Sequence, residues 1–181
     1  DMYFEDQKEN ICCKKGCSKC CETGKYPFSK IEFDYLMVGF FSLERAEQID
    51  IVKRINSLKA DYMQCEDKSN FMYRCPFLSE ENICMVYDYR GLICRNFGLL
   101  QKNIDGKVTL PFCYEYGLNF SKIYDPMKKK IDMKKVKSEG YKTMPKDYKI
   151  SLGRLMDKDL FVGESFEFGE IKSLIEWLIN P

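Results

Sequence analysis

A mainly α-helical domain with irregular cysteine-rich loops and one small β-hairpin is what the sequence predicts, and three observations lead there. Apolar residues recur at helical spacing through two stretches between Ser29 and Met63. Asp105-Gly106 is a two-residue turn signal between short strand-like runs. Ten cysteines are clustered in a chain of 181 residues rather than spread along it. At 45% hydrophobic and 14% aromatic residues, a chain of this length can bury a real core as a single domain.

The first helix is expected from the capping box Ser29-Lys30-Ile31-Glu32, running to about Val38, with Phe33, Leu36, Met37 and Phe40 as core positions. Gly39 is expected to stop it, and Ser42 to cap a longer helix reaching about Met63. The apolar face of that helix reads Leu43, Ala46, Ile49, Val52 and Ile55, continued by Leu58 and Tyr62. Residues 1–10 are polar and carry no fold signal. Periodicity disappears from Cys65 to Asn82, and Cys84 to Arg90 reads as a short helix ended by Gly91. Leu99 to Phe112 is the expected hairpin, with Cys113 returning near Cys94. A short helical turn is expected from Ser151, and an amphipathic helix over Glu170–Ile179 closes the chain, with Trp177 as its core anchor.

The chemistry lies in sulfur. Ile11 to Cys21 holds five cysteines, and the spacing Cys17-x-x-Cys20 lets one turn of backbone present two thiolates to a single ion. Adjacent Cα atoms lie about 3.8 Å apart, below the roughly 4.4–6.8 Å window of ordinary disulfides, so Cys20 and Cys21 are poor partners for each other. Histidine is absent, which excludes Cys₂His₂ and His₃ zinc sites and His-based catalytic triads. A second set of thiols runs Cys75-x₈-Cys84-x₉-Cys94. Arg90 and Arg95 flank its last member, and with Lys14, Lys15 and Lys19 they are candidates to offset thiolate charge. Clustered thiols without a signal-peptide pattern point to a reducing cytoplasm. No apolar run approaches the roughly 20 residues of a membrane span.

The order Cys13-x₃-Cys17-x₂-Cys20-Cys21, then Cys75-Pro76-Phe77-Leu78, Cys84-x₂-Tyr87-x₂-Arg90-x₃-Cys94-Arg95-x-Phe97 resembles the bacterial YkgJ family, the CxxCxxCC zinc- or iron-chelating domain, over about residues 12–113. The first spacing is three residues where the family has two, so the opening ligand falls at Cys12 or Cys13. The resemblance implies metal binding by Cys13, Cys17, Cys20, Cys21, Cys75, Cys84, Cys94 and Cys113, leaving Cys12 and Cys65 spare. Eight thiols suit two Cys₄ zinc sites, or an iron–sulfur cluster with thiols to spare for a second centre. Closed sites would make the ions staples for loops that bury little surface. The alternative implied by the same resemblance is a zinc- or iron–sulfur-dependent enzyme, such as a group transferase related to flagellin lysine methylases.

The expected organisation is a cysteine-cluster domain over 1–126, a lysine-rich exposed segment over 127–149, and a C-terminal helical segment over 150–181 docking on the same domain. The middle segment holds nine lysines against Asp132, Glu139 and Asp147, in a chain of net charge +1. Lys128 to Lys149 reads either as an exposed linker or as a patch for an acidic partner. Nucleic acid is not the expected partner, because lysine lacks arginine's planar reading of bases.

Overall fold

The computed structural model describes residues 2–13, 16–102, 106–110, 112–141, 143–149 and 168–180. In chain order its helices are α1 (Met2–Asp6), α2 (Lys19–Glu22), α3 (Lys30–Phe41), α4 (Arg45–Gln64), α5 (Leu92–Asn96), α6 (Met133–Ser138) and α7 (Leu174–Ile179). The strands are β1 (Pro27–Ser29), β2 (Leu100–Lys102), β3 (Val108–Thr109), β4 (Tyr124–Asp125), β5 (Lys130–Ile131), β6 (Asp147–Tyr148) and β7 (Ile171–Ser173). Among the described residues the longest helix has 20 residues and the longest strands three.

The chain forms two compact units rather than the single domain its length suggests. The first unit comprises residues 1–17 and 96–155, the second residues 18–95 and 156–181. Each has its own apolar core, and both cores join segments far apart in sequence.

In the second unit, β1 pairs antiparallel with β7 in the register Phe28↔Lys172. Ser29 then caps α3 by the expected box: its backbone N–H donates to Glu32 Oε2 at 2.9 Å, and Glu32 N donates back to Ser29 Oγ at 3.4 Å. The helix continues three residues past Val38, because Gly39 sits inside it as a packing device. A Cβ there would lie 2.5 Å from Tyr89 Cγ, so this residue admits a ring instead of ending the helix. Helix α4 is capped by Glu44 rather than Ser42, with Glu47 Oε2 accepting from Glu44 N at 3.0 Å. Its buried face is also rotated from the expected one. Ile51 and Tyr62 are buried and Ile55 and Leu58 pack beside them, whereas Ile49 and Val52 stand 45% and 44% exposed. An apolar residue at nearly every second or third position leaves two faces equally legible, and tertiary packing selects one.

The closing segment is a strand followed by a helix, not one continuous helix from Glu170. Main-chain pairing with β1 claims residues 171–173 before Ser173 and Glu176 form the capping box of α7. Trp177 is buried and donates from Nε1 to Phe28 O at 2.9 Å. Leu174, Ile175 and Trp177 pack with Phe28, Phe33, Leu36, Phe40, Ile51 and Phe77.

In the first unit the expected hairpin is present: β2 and β3 pair antiparallel with Gln101 opposite Thr109. Gly106, in the five-residue connection between Lys102 and Val108, takes φ +80°, a left-handed conformation open to glycine, while the rest of the expected turn, Asp105 included, lies outside the described residues. Strand β6 adds to β2 in parallel, Leu100 opposite Asp147. The lysine-rich segment supplies β5, α6 and β6. Asp132 caps α6 through Lys134 N at 2.9 Å, and Val136 of that helix is buried with Leu100, Leu110, Phe120, Ile123 and Tyr124. The N-terminal residues also take part, with Gln7 and Asn10 buried and Tyr3 stacked on Tyr148 at 4.2 Å. Their burial is polar, which the absence of apolar periodicity does not reveal. The turn expected at Ser151 lies outside the described residues.

Candidate metal centre

The second unit gathers Cys20, Cys21, Cys75, Cys84 and Cys94. Cys20 and Cys21 ride on the single turn of α2, with their sulfurs 3.9 Å apart, a contact and not a bond. Ser18 Oγ and Lys19 Nζ hold Glu22 at 2.7 and 2.8 Å, which closes that turn. Cys75 N donates to Cys21 O at 2.8 Å, fastening the second cysteine motif to the first through the main chain. The Tyr26 hydroxyl lies 3.1 Å from Cys20 O and 3.2 Å from Tyr73 O, and Gly24 pairs with Tyr73.

The loop after Cys75 is held from α4. Arg54 Nη1 donates to Pro76 O at 2.8 Å and to Leu78 O at 2.6 Å, using two carbonyls that the proline turn leaves without helical or strand partners. The bridge Leu78↔Cys84 turns the chain back, and Met85 N donates to Phe77 O at 2.9 Å. That extended return replaces the helix expected over Cys84–Arg90, of which a 3₁₀ turn, Tyr87–Tyr89, remains. Gly91 then permits a close approach to Phe28, whose ring would stand 2.7 Å from a Cβ, and α5 presents Cys94.

Burial dominates the electrostatics of this group. It raises the Cys75 thiol well above the ordinary value, with Cys21 and Cys94 adding to the effect. Burial pushes Cys84 up to about 11 and raises Cys94 as well, in both cases with a further rise from the charge of Cys21. Cys21 moves the other way. A hydrogen bond from Cys20 lowers it against burial, helped by the guanidinium groups of Arg90 and Arg74. Of the cations singled out in the sequence, Arg90 therefore bears on the thiols. Arg95 instead serves the local backbone, donating from Nε to Arg90 O at 2.8 Å, and Lys19 is paired with Glu22. Lys14 and Lys15 lie outside the described residues. Only its place immediately before Cys75-Pro76 marks Arg74 for this role in the sequence.

The first unit gathers Cys13, Cys17 and Cys113, with Cys12 exposed beside them. Asn119 organises the group. Its Nδ2 lies 3.5 Å from Cys13 Sγ and 3.4 Å from Cys113 Sγ and donates to Gly98 O at 3.0 Å, while Oδ1 accepts from Cys12 N at 2.7 Å. Asn119 has φ +54°, a left-handed conformation that asparagine tolerates well. Gly98, at φ +95°, lies against the same sulfur: a Cβ would stand 2.4 Å from Cys13 Sγ. Burial raises Cys113 to about 12, with Cys13 and then Cys17 adding their charge. Burial likewise raises Cys13, against the hydrogen bond from Asn119. The Gly117-Leu118-Asn119 stretch looks like an ordinary turn in the sequence, which hides this role.

The 3₁₀ turn Phe112–Tyr116 places Cys113, which is buried, with Cys13 and Cys17 in the first unit. Cys17 closes one unit and Cys20 belongs to the other. Cys65 stands apart at the end of α4, its thiol 3.4 Å from Asp67 O. Among the described residues, no three Cys, Asp or Glu side chains close on one point as they stand.

The donor chemistry nonetheless fits a borderline-soft cation. Both groups are sulfur sets without histidine, buried enough that thiolates need compensating positive charge. Residues 12–114 match the family model described as "CxxCxxCC: Putative zinc- or iron-chelating domain". The chain belongs to the CxxCxxCC family. The matched region takes in every cysteine named above, including Cys12 and Cys65, and runs through both units. Neither the curated proteins nor the solved structures yielded a match. No helix among the described residues is long and apolar enough to cross a membrane.

Proposed function

We propose that this CxxCxxCC chain binds zinc or iron in two places, through Cys20, Cys21, Cys75, Cys84 and Cys94 in the second unit and through Cys13, Cys17 and Cys113 in the first. The observation that supports this most is the sorting of the eight cysteines into two groups, one in each unit, with Cys75, Cys84 and Cys94 packed against the second unit's apolar core. Metal supplies there the cross-link that extended loops lack, since an ion held by thiolates from distant segments turns binding energy into folding energy. Cys21, which accepts a hydrogen bond from Cys20 and feels the charges of Arg90 and Arg74, is the thiol whose surroundings favour ionisation.

The test is elemental analysis of protein purified without oxygen, with variants. The parent should carry about two ions per chain if both groups are filled. Cys94→Ser and Cys113→Ser should each lose about one, from different units, and Cys65→Ser none. A metal content unchanged by Cys94→Ser and Cys113→Ser would refute the assignment. An iron–sulfur form would announce itself as a brown protein with sulfide in proportion to iron, and a colourless protein with zinc would exclude it.

A further inference from the structure

In the first unit, β4 and β5 pair through a turn that carries Met127, the most exposed large apolar residue among those described, at 92%. Residues 126–138 around it hold six lysines against a single carboxylate, Asp132. All six lysines are exposed. Only Asp132 separates β5 from α6, and α6 buries Val136 alone, which leaves Lys134, Lys135 and Lys137 to solvent.

Two features set this patch apart from an ordinary solvated face. The nearby carboxylates are already engaged: Asp125 pairs with Lys128 at 3.0 Å, Glu139 with Lys122 at 3.2 Å, and Asp132 caps α6 by accepting from Lys134 N and Lys135 N. Among the described residues, Lys129, Lys130, Lys134, Lys135 and Lys137 have no ion pair, so their charge is left for something outside the chain. The second feature is the backbone of Lys129, at φ +48°, which lets its carbonyl accept from Val108 N at 3.0 Å. Glycine or asparagine meets that demand with less strain, and so the turn itself does not account for a lysine there.

We infer that this hairpin and α6 dock the first unit on a bilayer surface rich in anionic phospholipid. The lysines meet the headgroup phosphates and the Met127 side chain enters the interfacial layer. Each lysine held near such a surface favours binding by about fivefold, so a few suffice for reversible attachment. Nucleic acid fits the patch less well, because the tyrosines that could stack on bases are spent: Tyr124 is 8% exposed, Tyr141 packs against the same core, and Tyr148 stacks on Tyr3. A protein partner is better met by a broad face with an apolar centre than by a hairpin turn bearing one methionine.

The experiment sediments the full chain with sucrose-loaded vesicles of phosphatidylcholine, alone or with about 30% phosphatidylglycerol, at low, intermediate and high salt. At low salt the anionic vesicles should bind at least about tenfold more tightly than the neutral ones, and high salt should abolish the difference. Lys129→Glu/Lys130→Glu should weaken binding at least about twenty-fivefold, whereas Lys53→Glu/Lys59→Glu, the same change in net charge placed on exposed positions of α4, should cost less than about twofold. Met127→Ala should cost about threefold and leave the salt dependence as it is. Lys129→Gly should weaken binding about fivefold while leaving the chain at least as stable to urea, which separates a surface role from a structural one. Equal binding to the two vesicle types, equal losses in the two double variants, or binding unchanged in Met127→Ala or Lys129→Gly would overturn the proposal. Retention on polyglutamate or single-stranded RNA at least as tight as on the anionic vesicles would overturn it too, in favour of an acidic protein or a nucleic acid.

Discussion

Replacing Arg54 by leucine tests how the loop bearing Cys75 and Cys84 is held. Leucine keeps the helix propensity of α4, so the change falls on the guanidinium. That group gives two hydrogen bonds, to Pro76 O at 2.8 Å and Leu78 O at 2.6 Å, and a weak contact with Met85 Sδ at 3.7 Å. A hydrogen bond from a charged donor contributes about 1.5–3 kcal/mol, which sets an upper bound of about 3–6 kcal/mol for the pair. The side chain is 23% exposed, and water entering at Arg54 would recover part of that. Its ion pair with Asp50, at 3.8 Å and with the carboxylate 61% exposed, adds almost nothing. The expected loss is therefore about 2–3 kcal/mol, or roughly 1–2 M in urea midpoint for a domain of this size. Arg54→Lys, with a single ammonium, should lose about half as much. A thiol-reactive dye should also label Cys75 and Cys84 faster in the leucine variant than in the parent, both measured without metal. An unfolding free energy unchanged within about 0.5 kcal/mol, with unchanged labelling, would show that the loop holds itself.

Gly39→Ala raises intrinsic helix propensity by about 1 kcal/mol yet should lower the melting temperature, because the new Cβ would sit 2.5 Å from Tyr89 Cγ and overpacking costs about 1–3 kcal/mol; a rise in melting temperature would contradict the packing role. Asn119→Ala should cost about 2–4 kcal/mol by chemical denaturation, since it removes the ties to Gly98 O and Cys12 N and leaves a non-glycine residue at positive φ, whereas Asn119→Gly should recover the backbone part only. Glu176 is held below its ordinary value of 4.5 by the Ser173 hydroxyl, with the Ser173 backbone and Tyr62 adding. A lowered folded-state value means stabilisation present above about pH 4.5 and lost as pH falls through that lower value, so acid titration of Glu176→Gln should show a shallower loss of stability in this range than the parent.

The legible parts of the fold were those fixed by local chemistry. Ser29 and Glu32 announce the start of α3, Asp105-Gly106 announces the hairpin, and Trp177 reads as an anchor because an indole in an amphipathic segment has few other uses. What stayed hidden depends on partners far along the chain. Gly39 looks like a stop until Tyr89 is seen against it, and residues 171–173 read as helix until β1 claims their main chain. The face of α4 followed the same rule, since its apolar residues fit two stripes and the core selects Ile51. The cysteines showed which chemistry to expect but not its partition, because spacing within Cys17-x-x-Cys20 carries no information about where the chain passes from one unit to the next. Asn119 and Arg74 were invisible for a related reason: a polar residue in a turn looks the same whether it faces water or a thiol.

The pairing of β1 with β7 has a consequence for biosynthesis. Trp177 reaches back 149 residues to bond with Phe28, so during translation the stretch from Ser18 to Arg95 emerges with its interior incomplete. Cys75, Cys84 and Cys94 of that stretch pack against a core that is complete only once Leu174, Ile175 and Trp177 have joined it.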